Sequence, residues 1–70
     1  MHRFLVVIEK AESNYSAYCP DLPGCIATGD TPAETEANMH EALRLHVEGM
    51  IEDGEPIPES AALAEYMVVA

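Results

Sequence analysis

Both ends of a long helix are written into residues 31–54, TPAETEANMHEALRLHVEGMIEDG, and the rest of the chain has to fold around that helix. Thr31 carries a hydroxyl suited to capping the first free backbone donors, and Pro32 fits the first helical position. Glu34 stands three residues after Thr31, the spacing of a capping box. Gly54 supplies the left-handed residue that commonly stops a helix, with Pro56 beyond it. These signals predict a helix over Pro32–Asp53. At about 100° per residue, Met39, Leu43, Val47 and Met50 fall in one narrow arc, flanked by Ile51, His40 and His46. Glu34, Glu41, Glu48 and Glu52 fall opposite. The apolar arc needs a sheet to cover, and one helix covers only one face of a sheet.

The sheet is legible upstream. RFLVVIE (Arg3–Glu9) places Phe4, Val6 and Ile8 on one side and Leu5 and Val7 on the other, the composition of a central strand. Glu12, Ser13 and Asn14 form a polar break suited to a hairpin, and YSAYC (Tyr15–Cys19) follows as a second strand. PDLPG (Pro20–Gly24) cannot be strand interior, because its prolines lack ladder donors, and CIATG (Cys25–Gly29) resumes as a third strand. After the helix, EPIPES (Glu55–Ser60) is a Pro-rich return and ALAEYMVVA (Ala62–Ala70) reads as a last strand, although its Ala-rich start also suits a helical turn. The expectation is an α+β fold of order β-β-β-α-β in one domain spanning residues 1–70. A three-stranded antiparallel meander is joined by a fourth strand that lies parallel to the third or the first. Apolar residues left on the uncovered face imply a dimer or a partner, with a homodimer or homotetramer the expected assembly, and Leu45, alone among the outer glutamates beside Ala42 and Gly49, is the candidate oligomer contact.

Thirteen Asp and Glu against three Lys and Arg give a formal net charge of −10. Such a surface repels nucleic acid and anionic membranes at long range and attracts a basic partner. No signal-peptide pattern or membrane-length apolar run is present, so a cytoplasmic protein with reduced thiols is expected.

Catalytic and metal chemistry find little support in the residue pattern. Cys19 and Cys25 flank the PDLPG loop, but zinc needs about four ligands and no second cysteine pair exists. His40 and His46 are six residues apart, about 120° around a helix, which is not an i,i+4 ligand pair. A nucleophilic thiol needs local positive charge, and these surroundings are acidic. Glu9, Asp21, Asp30 and Glu65 are the available carboxylates, scattered over turns and exposed faces. The expectation is a binding module without catalytic residues, metal or cofactor.

The stretch YSAYCPDLPGCIATGDTPAE, followed by EAL within the helix and then EDGEPIPE, resembles the HicB-type antitoxin domain of bacterial and archaeal toxin–antitoxin systems. The resemblance runs over nearly the whole chain, and PDLPGC, GDT and DGEPIP in that order are its most specific parts. It implies a fold related to a truncated ribonuclease H, with the fourth strand beside the first. It also implies inhibition of a small basic HicA-type toxin, an mRNA-cleaving ribonuclease with a double-stranded-RNA-binding-like fold and a catalytic histidine. Family members often carry a further DNA-binding domain; none is matched in these residues, so no direct nucleic-acid binding is expected. Asp21 and Asp30 are the candidate partner-binding residues, although a place in the turn and a place before the helix start account for them better. A solitary oligomeric binding protein without a cognate toxin is the second expectation.

Overall fold

The computed structural model describes residues 2–70. Strands β1 (Val7–Lys10), β2 (Tyr15–Tyr18) and β3 (Ile26–Gly29) precede one helix, α1 (Pro32–Glu52). The strands form an antiparallel meander in the order β1-β2-β3. The register aligns Ile8, Ala17 and Ala27 across the sheet on the side that α1 covers. Ala17, Cys19, Leu22, Cys25 and Met39 are buried there, and Phe4, Val6, Leu43, Val47 and Met50 pack around them. The predicted helical stripe is therefore the stripe that meets the sheet.

Both helix ends follow their sequence signals. The Thr31 hydroxyl accepts from the Glu34 N–H at 3.1 Å, and the fully buried Thr35 donates its own hydroxyl to the Thr31 carbonyl at 2.8 Å. Gly29, at the end of β3, lies against Thr35 with no space for a side chain between them. At the far end Gly54 has φ +70°. Its N–H donates to the Ile51 carbonyl at 3.1 Å and the Glu55 N–H to the Met50 carbonyl at 2.9 Å. This is the paired bonding of a Schellman stop, which a residue with a Cβ adopts only under strain. α1 lies mainly over β3 and β2 and touches β1 least. The Asn38 side chain also ties it to β3 by donating to the Thr28 carbonyl at 2.9 Å.

Two expectations are corrected. The first strand is Val7–Lys10, shifted toward the hairpin from the expected Arg3–Glu9. The register pairs Val7 with Tyr18, so Leu5 would have to pair with Pro20, which has no N–H to give. The fourth strand expected over Ala62–Ala70 is not formed, and the observed order stops at β-β-β-α. A strand needs a partner edge for its backbone and a face for its side chains. Ala62–Ala64 lie beside Arg3–Val6 without a ladder between them, and Leu63, Tyr66, Met67, Val68 and Val69 are between 82% and 105% exposed.

Candidate functional site

Period-two alternation decides what the uncovered face of the sheet presents. Val7, Tyr18 and Ile26 are aligned by the register across all three strands. They are one residue out of step with the Ile8–Ala17–Ala27 row beneath α1, and so they point to the opposite face. Tyr18 is 41% and Ile26 67% exposed. The next row on this face is Glu9, Ser16 and Thr28. Beyond it lie the β1–β2 hairpin, closed by the Ala11 N–H donating to the Asn14 carbonyl at 2.8 Å, and the β3–α1 junction. Exposed Glu12 and Asp30 occupy these two corners. The open face is thus an apolar bar with a carboxylate rim at one end.

The residues singled out in the sequence are not brought together. Asp21 sits in the turn that leads into β3, whereas Asp30 follows the end of β3, so the strand separates them. The Asp21 carboxylate accepts from the Ala62 N–H at 3.3 Å and from the Ser60 hydroxyl at 3.4 Å. Its charge is engaged with the return segment of its own chain. Leu45 is exposed on the outer surface of α1, away from the open face. The Val7–Tyr18–Ile26 bar was missed as a unit. Its signal was present in the alternation of YSAY and IATG, but alignment across strands needs the register.

Cys19 and Cys25 are both buried free thiols. Burial pushes the Cys25 thiol above its ordinary value of 9.0, and neighbouring Cys19 adds to the rise. A thiol held protonated is a poor nucleophile. Cys25 is expected to react with a thiol-specific disulfide reagent at pH 8 roughly 100-fold or more slowly in the native protein than in urea; labelling at the unfolded rate would contradict this placement. Because the unfolded thiol ionises first, its stabilising contribution is complete below 9.0 and is lost as pH rises through the raised native value.

Among the described residues no group of three or more His, Cys, Asp or Glu could hold a metal ion. No helix among them is long and apolar enough to cross a membrane. Arg44 is bound by Glu41 and Glu48 on the exposed side of α1. Its hydrogen bond holds the Glu41 carboxyl below the usual range. A shallow groove of about 340 Å³ runs between α1 and the first residues of the chain, lined by Phe4, Val6, Ile8, Met39, His40 and Leu43, with Glu36 at its rim.

A family model described as "HicB_like antitoxin of bacterial toxin-antitoxin system" matches residues 4–69. An uncharacterised 14.9 kDa protein of Haemophilus phage HP1 is 42% identical over 62 residues, covering 89% of this chain and 47% of that protein. The chain therefore spans about half the length of the phage relative. A UPF0150 protein of Synechocystis is 37% identical over 70 residues, covering 99% of this chain and 89% of that protein. Among solved structures, a chain of a HicA3 and HicB3 toxin-antitoxin complex is similar with a TM-score of 0.63 and 32% identity, covering 77% of this chain and 66% of that one.

Proposed function

The chain belongs to the HicB-like antitoxin family, and from that premise we propose that it neutralises a small basic HicA-type toxin by laying the open face of its sheet over the toxin's RNA-binding surface. The similarity to a chain of the HicA3 and HicB3 complex is the observation that carries this reading. The geometry supports it on chemical grounds. An apolar bar centred on Tyr18 can anchor a partner, and Glu9, Glu12 and Asp30 form a rim that attracts cations. The formal charge of −10 steers a basic protein toward the molecule and repels the RNA that such a toxin would otherwise bind. In this reading Asp30 is a rim contact. Asp21, occupied by Ser60 and Ala62, acts within its own chain.

The test mixes this protein with a small basic HicA-type toxin. Purified toxin is expected to bind this protein, with affinity falling at least roughly tenfold between 50 and 500 mM salt as rim charges are screened. Co-expression is expected to relieve toxin-induced growth arrest. No binding at either salt concentration would sink the pairing. The exposed apolar residues Leu63–Val69 favour a second reading, an oligomeric binding protein without a toxin partner. Self-association together with loss of toxin binding would select it.

A further inference from the structure

Cys19 and Cys25 stand at the two ends of the PDLPG turn, and the register sets them opposite each other. The β2–β3 ladder pairs Ser16 with Thr28, Ala17 with Ala27 and Tyr18 with Ile26; one step further along the same ladder is Cys19 against Cys25. Both lie two residues from the Ala17–Ala27 pair, so alternation turns both side chains to the face beneath α1. Each is 3% exposed there. The backbone identifies the kind of pair. In a hydrogen-bonded antiparallel pair the two residues exchange both N–H···O bonds. Here the Cys25 N–H donates to the Leu22 carbonyl at 3.2 Å, and the Cys19 carbonyl accepts from the Leu22 N–H at 3.1 Å. Cys19 and Cys25 therefore hold a non-hydrogen-bonded position, where opposed Cα atoms are about 4.5 Å apart and side chains approach most closely. That separation falls within the span of roughly 4.4–6.8 Å that a disulfide bridges. The rise that Cys19 adds to the Cys25 thiol reports the same proximity.

We propose that Cys19 and Cys25 are a redox modification site: they form a reversible intrachain disulfide that closes the PDLPG turn into a covalent ring, with a low-molecular-weight disulfide of the glutathione class as oxidant. The step is thiol–disulfide exchange. One cysteine loses its proton and its sulfur attacks the reagent disulfide, whose S–S bond breaks. One reagent thiolate leaves, and a mixed disulfide remains on the protein. The second cysteine, deprotonated in turn, attacks the protein-bound sulfur; the Cys19–Cys25 bond forms and the second reagent thiolate leaves. The two thiolates take up the two protons released. Two protein thiols are oxidised to one disulfide, and one reagent disulfide is reduced to two thiols.

Access to the sulfurs is set by the turn itself. It is held by the two Leu22 backbone bonds and by the Leu22 side chain, 2% exposed and seated in the core between the two cysteines in sequence. Withdrawing Leu22 opens the turn and uncovers both thiols, so exchange in the native protein is slow and the finished bond is equally shielded. Preorganisation favours the product. In the folded chain the partner thiol already stands opposite, whereas in the unfolded chain the five intervening residues, two of them prolines, must first be gathered into a ring. Oxidation stabilises the fold by the same factor by which folding favours the bond. The ring contains Asp21, whose carboxylate holds Ser60 and Ala62, and it adjoins Tyr18 at the end of β2. The disulfide therefore fixes the junction between the open face of the sheet and the return segment.

The inference is independent of any toxin, and its test uses the full chain. The protein is equilibrated at pH 8 with mixtures of reduced and oxidised glutathione, quenched with acid and alkylated in denaturant. Mass spectrometry is expected to show a chain two hydrogens lighter, with neither cysteine alkylated and no glutathione attached. The equilibrium constant for closing the ring is expected to be at least roughly tenfold more favourable in buffer than in urea, and the oxidised protein to melt roughly 5–10 °C above the reduced one. Cys19→Ala and Cys25→Ala, treated in the same way, are expected to gain neither the mass change nor the rise in Tm. Thiols that stay free in buffer at a glutathione ratio that closes the ring in urea would overturn the proposal. So would a glutathione adduct or a disulfide between two chains in place of the ring, or an oxidised protein that melts at or below the reduced one.

Discussion

Replacing Tyr18 with alanine is expected to weaken binding of a HicA-type toxin about 100-fold, near 2.7 kcal/mol, while leaving the fold intact. Tyr18 stands at the centre of the Val7–Tyr18–Ile26 row and, at 41% exposure, is held by the sheet yet available to a partner. A half-fixed aromatic ring loses little conformational freedom on docking and contributes a large contact area, and its hydroxyl can bond at the wetter margin. Leu45→Ala is the matched control, because Leu45 is equally apolar and exposed but lies on the outer surface of α1. Calorimetric titration is expected to show a change of less than about threefold for that variant. If Tyr18→Ala binds normally and Leu45→Ala does not, the toxin docks on the helix and the open-face reading is wrong.

Replacing Gly29 with alanine is expected to destabilise the protein by about 2 kcal/mol, a fall in Tm of roughly 10 °C for a domain of this size. A Cβ at position 29 would lie 2.6 Å from the Thr35 hydroxyl oxygen, 2.7 Å from the Thr35 backbone nitrogen and 3.0 Å from its Cα. Two of these three atoms are backbone, and Thr35 is completely buried and bonded to the Thr31 carbonyl. No flexible side chain can move aside, so the first turn of α1 must lift from β3. Trimming Thr35 in the same chain is expected to recover only part of the loss, since the backbone contacts stay. Urea denaturation showing less than about 0.5 kcal/mol of destabilisation in Gly29→Ala would refute this account.

The elements most legible in the sequence were those set by local chemistry. Thr31, Pro32 and Glu34 marked the helix start, and Gly54 and Pro56 its end. The observed Pro32–Glu52 differs from the expected span by one residue. The PDLPG turn separated β2 from β3 because proline cannot donate to a ladder. What depended on pairing between distant residues was less legible. β1 begins at Val7 because of which residue faces it across the hairpin, and composition does not encode that position. The ALAEYMVVA segment has the composition of a strand, but composition does not specify whose edge completes it. The functional face was half visible. Alternation identified an uncovered apolar side, yet only the register aligns Tyr18 with Val7 and Ile26. Asp21, singled out for its charge, serves chain geometry through Ser60 and Ala62.

The Asn38 bond to the Thr28 carbonyl has a consequence for solubility. β3 is only four residues long, carries the bulk of the helix above it, and has one of its acceptors taken by a side chain. Fibril growth by strand addition needs two receptive edges on every unit, one to add to and one to be added to. With the Thr28 carbonyl already taken, a strand adding at β3 meets a short edge with one acceptor fewer, which disfavours growth of the sheet on that side.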